Sequence, residues 1–215
     1  TIEAQSFTLE RTALQDHSSL TTDHLPLTLP LLGRHQVTNA ATAIAAVAVL
    51  QQQGTTVPED AIREGLSKVQ WHGRFEVLER EPLLVVDGAH NADSARQLVQ
   101  TIRTLRPAGA LHLIFGASSD KDIAGMFAQL LPQVQSLILT RSHNPRASDP
   151  ARLAALAEPF NVEISIEPDL AAALEEAGRR ARTVDTICVT GSLFVVADAR
   201  QVWLERHGQT VEHDG

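Results

Sequence analysis

The sequence predicts an α/β protein: a mostly parallel β-sheet with helices on both faces, preceded by a shorter region of strands and helices. Three observations point to it. From Phe75 onward the chain repeats one unit, a short apolar run, a polar loop and an amphipathic stretch of helical period. The apolar runs Leu83–Asp87, Leu111–Phe115, Ser136–Thr140, Val162–Ile166 and Thr186–Thr190 are largely apolar at successive positions, as in strands buried on both faces. Between them lie helical stretches long enough for the crossovers that parallel strands need.

Residues 1–30 read as two or three short strands with turns. "SFTLERTAL" is β-prone, and "HLPLTLPLLG" alternates Leu with Pro or Thr, which suits edge strands. Thr38 or Asn39 then caps a helix, "NAATAIAAVAVLQQQ", that Gly54 ends. Its circumference is almost wholly apolar, so burial is expected. Pro58 opens a second helix, "PEDAIREGLSKV", with acids in the first turn where the helix dipole favours them. In the second region helices are expected over Asp93–Leu105, Lys121–Leu131, Pro150–Glu158, Asp169–Arg182 and Leu193–Arg206. The first of these aligns Ala95, Leu98, Val99, Ile102 and Leu105 on one face, and Pro107 stops it. The seam falls near Val69–Gly73, giving regions 1–70 and 71–207 and a frayed tail over 208–215.

Composition removes several function classes. With a net charge of −8, 43% hydrophobic and 20% charged residues, this is ordinary globular material without a basic nucleic-acid stripe. Arg179, Arg180 and Arg182 form the one dense basic cluster, and a solvated helix face accounts for it. No apolar run has membrane-spanning length, and the start lacks a signal-peptide pattern. The single cysteine, Cys188, lies in an apolar run, so there is no disulfide framework. A cytosolic protein with neither nucleic-acid nor membrane partners is expected. The chain opens without an initiator Met, and Met126 is its only methionine, so a fragment of a longer protein is expected.

Polar residues collect after the strands, where open parallel sheets bind ligands. Asp87 ends the first strand, with His90 and Asn91 in its loop. "GASSDKD" follows the second and supplies Ser118, Ser119, Asp120 and Lys121. "TRSHNPR" follows the third, and "TGS" places Ser192 before a helix N-terminus that can receive an anion. The dinucleotide fingerprint and the phosphate-wrapping loop are both missing from this chain. Ser192, His90 and Asp87 could spell a hydrolase triad, but no nucleophile elbow surrounds the serine. His90 and His143 could ligate metal, although their spacing matches no ligand pattern. Structural roles are available to each residue as well. Asn39 could cap a helix, Arg74 and Glu76 could pair on the surface, Asp87 could cap its turn, and His90 could hold a backbone carbonyl. Lys121 could be an ordinary first-turn lysine.

"LLGRHQVTNAATAIAAVAVL", "WHGRFEVL" and "LLVVDGAHNADSA", followed by "FGASSDKD" and "TGSLFVVADAR", resemble in order and spacing the folylpolyglutamate synthase and bifunctional dihydrofolate synthase family, cousins of the muramyl peptide ligases. The resemblance runs from about Leu27 to Arg200. It implies that residues 1–70 end a central ATPase domain and that 71–207 form the Rossmann-like C-terminal domain. The implied reaction uses ATP to phosphorylate a substrate carboxylate, and the amine of L-glutamate then attacks the acyl phosphate. By position, Asn39 matches the residue that meets adenine, Arg74 the one that reaches the phosphates, and Asp87 the acceptor of ribose hydroxyls. His90 is the implied catalytic residue near the reacting carbonyl, and Lys121 and Ser192 are implied to hold the glutamate carboxylate. The implied partners are ATP, glutamate and a folate or dihydropteroate, with the protein a monomer. No metal ligand is assigned in this chain: the Mg2+ ligands, the phosphate loop and a carbamylated lysine are implied upstream. The chain alone is therefore expected to be catalytically silent and to bind ATP weakly. The family usually has Pro where His72 and Ala92 stand, changes that loosen turns without removing a functional group. The alternatives are a fragment of another ligase of the muramyl type and a nucleotide-binding module without chemistry.

Overall fold

A computed structural model describes residues 2–15 and 19–209. The chain divides into two compact units, Thr1–Trp71 and His72–Gly215. In the first, β1 (Gln5–Gln15) and β2 (Ser19–Leu29) form one antiparallel hairpin of two long strands, with Phe7 opposite Leu27 and Leu9 opposite Leu25. Strand alternation turns Leu25, Leu27 and Leu29 inward and leaves Pro26 and Thr28 exposed. Leu25 and Leu27 pack with Ile44 of α1 (Arg34–Gln52) and with Ile62 and Leu66 of α2 (Glu59–Ser67).

Two expectations about α1 are overturned. The helix starts at Arg34 behind Gly33, whose φ of 103° only glycine adopts readily, so neither Thr38 nor Asn39 caps it. Asn39 is exposed in the second turn and donates to Gln36 Oε1 at 3.0 Å. The helix is also not buried within its unit. Only Gln36, Ala40 and Ile44 are, while Val49 and Leu50 are 51% and 47% exposed. A two-stranded hairpin and one short helix offer enough surface to cover a single stripe.

The second unit holds a six-stranded sheet, order β3-β4-β8-β5-β6-β7. The strands are β3 (Glu76–Arg80), β4 (Leu83–Val86), β5 (Leu111–Phe115), β6 (Ser136–Leu139), β7 (Glu163–Ile166) and β8 (Thr186–Thr190). Five run parallel, and β3 lies antiparallel on β4. The sequence does not mark the edge strand β3, because "EVLER" carries charges at both ends and lacks the doubly buried pattern. The helices are α3 (Ala92–Leu105), α4 (Ile123–Leu130), α5 (Pro150–Ala157), α6 (Leu170–Arg180) and α7 (Leu193–Arg206). Leu84, Val86, Ile114, Ile138, Ile187 and Val189 form one cluster with α6 and α7. On the opposite face Phe115 meets Phe127 of α4 with ring centroids 4.8 Å apart, and α3 packs on α4. Helices thus cover both faces of the sheet. Of the expected frayed tail, residues 210–215 lie outside the described residues.

Several polar groups within this core are matched locally. At the amino edge of the sheet, Asp185 is buried and accepts from Ala110 N and from the backbone and guanidinium of Arg182. The Arg182 bonds hold its carboxyl well below the usual carboxylate range. Buried His112 bonds Ser136 Oγ through Nδ1 at 2.8 Å. Burial pushes the Cys188 thiol up, which makes it an inert core residue. The basic cluster is absorbed by ion pairs: Arg179 and Arg180 with Glu176, and Arg182 with Asp185. Among the described residues, no helix is long and apolar enough to cross a membrane.

Candidate active site

Four loops meet along the carboxyl edge of the sheet, after β4, β8, β5 and β6 in spatial order. The first two are joined by Thr190 Oγ1, which donates to Asp87 O at 2.7 Å, and by Gly191 N, which donates to Ala89 O at 3.2 Å. Gly116 N donates to Thr190 O at 3.2 Å and carries the link to the third loop. Gly191 has φ 110°, and a Cβ there would lie 2.5 Å from Gly116 O. Only glycine allows this approach. The third and fourth loops are stitched by Ser119 N to Arg146 O and Ser148 N to Ala117 O. The edge is therefore one hydrogen-bonded platform, and its small residues permit the close backbone spacing.

Asp87 sits at the head of this platform, 9% exposed. Its Oδ2 accepts from Phe75 N at 2.8 Å and its Oδ1 from Ala89 N at 2.9 Å. Burial raises its pKa above the ordinary aspartate value. The two amides and the nearby charges of Arg74 and His90 oppose that shift without cancelling it. Each carboxylate oxygen retains a lone pair after these bonds. Gly73 O accepts from Gly88 N at 2.8 Å, so half-buried Arg74 is flanked on both sides by ties to the Asp87 loop.

His90 Nδ1 lies 2.9 Å from Gly88 O. A carbonyl only accepts, so Nδ1 carries the proton, and in the neutral ring Nε2 is left as the acceptor. Asn91 and Ser94 form a reciprocal capping box that starts α3 immediately after this histidine. Ser192 is the N-cap of α7, with Oγ accepting from Val195 N at 3.2 Å. Lys121 lies before α4 rather than in its first turn, exposed and 3.5 Å from Asp120, and Asp122 is the cap. Asn39 belongs to the other unit.

The alternative chemistries do not assemble. Asp87 is bonded to backbone amides, His90 to Gly88 O and Ser192 to Val195 N, so no Ser-His-Asp relay forms. His143 Nδ1 pairs with Asp198 of α7 at 3.2 Å, and among the described residues no group of three or more His, Cys, Asp or Glu could hold a metal ion. Sequence reading missed the cluster around Glu76. That carboxylate accepts from Arg200 Nε at 2.8 Å and Gly73 N at 2.8 Å, with His72 Nδ1 3.0 Å away. Arg200 is 124 positions from Glu76, a separation at which no local pattern reports.

Residues 73–193 match the family described as Mur ligase, glutamate ligase domain. The chain belongs to that family. Among relatives of this Mur ligase domain, a Haloferax volcanii protein named "Probable bifunctional folylpolyglutamate synthase/dihydropteroate synthase" is 39% identical over 180 residues, 83% of this chain and 21% of its own. An Escherichia coli structure of FolC in complex with DHPP and ADP matches with a TM-score of 0.76 at 29% identity, covering 96% of this chain and 47% of that one. A bifunctional folylpolyglutamate synthase/dihydrofolate synthase with Mn, AMPPNP and L-glutamate bound matches at a TM-score of 0.70 and 29% identity, covering 91% and 46%. The chain thus spans about a fifth of the Haloferax volcanii protein and less than half of these solved chains.

Proposed function

We propose that this chain is the C-terminal part of an ATP-dependent ligase that adds glutamate to a folate or dihydropteroate through an acyl phosphate. The observation that carries this is the joining of Arg74 to the Asp87 loop, in a unit that matches a glutamate ligase domain. Relatives named for folate ligation, and neighbours described with ADP, DHPP and L-glutamate, support the substrate class.

In this reading ATP supplies the phosphoryl group that activates the carboxylate. Arg74 offers a planar set of donors to phosphate oxygens and stabilises charge that builds during transfer. Asp87 presents its remaining lone pairs to ribose hydroxyls, and Asn39 pairs its amide with adenine. His90 takes a proton at Nε2 from the incoming ammonium, and Lys121 and Ser192 hold the glutamate carboxylate. A divalent cation accompanies the nucleotide, as Mn does in one neighbour. We assign Mg2+ to that role. The described residues give it no ligand cluster, so none of the steps above is routed through it. We place the ligase in the cytosol as a monomer, with this chain silent on its own.

Arg74→Ala in the complete ligase tests the assignment. Turnover should fall by about a hundredfold or more, the scale of a lost transition-state donor, while the thermal midpoint holds. A midpoint that drops in step with activity would make Arg74 structural.

A further inference from the structure

The geometry points to Glu76 and Arg200 as positioning residues for Arg74, a role that rests on the reading above. Arg74 stands between two residues with left-handed backbones, Gly73 at φ 73° and Phe75 at φ 45°. Such a segment does not keep its shape by intrinsic preference, least of all at a buried aromatic. Its shape is imposed by bonds on either side of Arg74. Phe75 N is tied to Asp87 and Gly73 O to Gly88 N, which anchor the segment to the β4 loop. Gly73 N is tied to Glu76 Oε2, and Glu76 Oε1 is in turn gripped by Arg200 Nε from the middle of α7.

Packing makes the second anchor necessary. A cavity of about 570 Å³ lies beside the segment, lined by His72, Gly73, Leu193, Val196 and Arg200 among others, so apolar contact alone does not fix that side. Glu76 and Arg200 are 18% and 20% exposed, so their bond is shielded from solvent competition. A Cβ on Gly73 would lie 2.9 Å from Val196 Cγ1, which shows how closely α7 and the segment approach. The helix whose N-cap is Ser192 thus also supports the backbone around Arg74. His72 belongs to the same device. Its Nδ1 lies 3.0 Å from Glu76 Oε1 and 3.2 Å from Arg200 Nη2. It can donate to the first or accept from the second, but one nitrogen cannot do both.

Arg200→Ala, Arg200→Lys and Glu76→Gln in the complete ligase test this, with Arg74→Ala as reference. A guanidinium displaced by about 1 Å costs on the order of a hundredfold in rate. Arg200→Ala should therefore lower kcat about 10- to 100-fold, with KM for glutamate changed less than threefold, and Arg200→Lys should recover part of the loss. In hydrogen exchange of the 215-residue chain, the Gly73 and Phe75 amides should open at least tenfold faster in Arg200→Ala and Glu76→Gln, with Leu113 in β5 unchanged. Unchanged kcat and unchanged Gly73 and Phe75 exchange, with Arg74→Ala still inactive, would overturn the positioning role. Activity retained in Arg74→Ala itself would instead overturn the assignment of Arg74.

Discussion

The amide of Phe75 donates to the carboxylate of Asp87 across 2.8 Å, joining residues twelve apart in sequence. One residue arrives in a left-handed conformation and the other leaves the end of β4. A bond from backbone amide to carboxylate is stronger than a neutral one and offsets strain at Phe75 of order 1–3 kcal/mol. The sequence motif around Asp87 therefore has a folding role beside the binding role proposed for it.

Asp87→Ala should consequently lower stability by about 2 kcal/mol, because the amides of Phe75 and Ala89 lose their acceptor. Asp87→Asn should cost less and remove a pH dependence. The folded pKa of Asp87 is raised by burial, so its contribution is fully present below 3.8 and is lost as pH rises through the folded value. Urea titrations from pH 3.5 upward should show wild type losing ground against Asp87→Asn as pH rises. A constant difference would mean that the carboxylate is not desolvated.

The parallel strands were legible because burial on both faces forces continuous apolar runs, as in Leu83–Val86, and the loops were legible because polar residues punctuate them. The Glu76–Arg200 bond was not, because it depends on where two distant elements meet in three dimensions. Asn39 shows a different limit. Polar residues before an apolar run look like a helix start, yet α1 begins five residues earlier at Arg34, behind a glycine that supplies no side-chain cap. His112 and Ser136 are polar interruptions in apolar strands, and only the register that sets them opposite each other explains both.

His112 makes a second pH prediction, of opposite sign. Its folded pKa is lowered by burial, and nearby Asp185 does not fully compensate. The contribution is therefore present above the unfolded value of 6.5 and lost as pH falls through it toward the folded value. Between pH 7.5 and 5.5, wild type should lose stability relative to His112→Gln by at most about 1.4 kcal/mol per pH unit below 6.5. Parallel stability curves for the two proteins would contradict a buried neutral imidazole.

Gly191→Ala tests the platform. The new methyl group would meet Gly116 O at 2.5 Å on a backbone with φ 110°. Both the contact and the dihedral oppose it, so a loss of about 2–3 kcal/mol is expected in chemical denaturation. Gly178→Ala is the control, because its Cβ would enter open space with nothing within 4 Å. It should be neutral or slightly stabilising through helix propensity. Equal effects at the two positions would remove the case for close packing between the loops.

His90 separates folding from chemistry most cleanly. Its Nδ1–H is committed to Gly88 O, and the Nε2 side is the part that could accept a proton. Asparagine can reproduce the first bond through its amide nitrogen but has no group that accepts a proton near neutral pH. In the complete ligase His90→Asn should therefore retain its thermal midpoint within about 1 °C, since a surface-level change leaves stability nearly untouched. Its kcat should fall by about 10²–10⁴-fold, the usual range for a lost general base. His90→Ala should show the same kinetic loss together with faster exchange of amides in the 88–91 loop, because it also gives up the bond to Gly88. If His90→Asn keeps its rate, the proton leaves the amine by another route and His90 only shapes the loop.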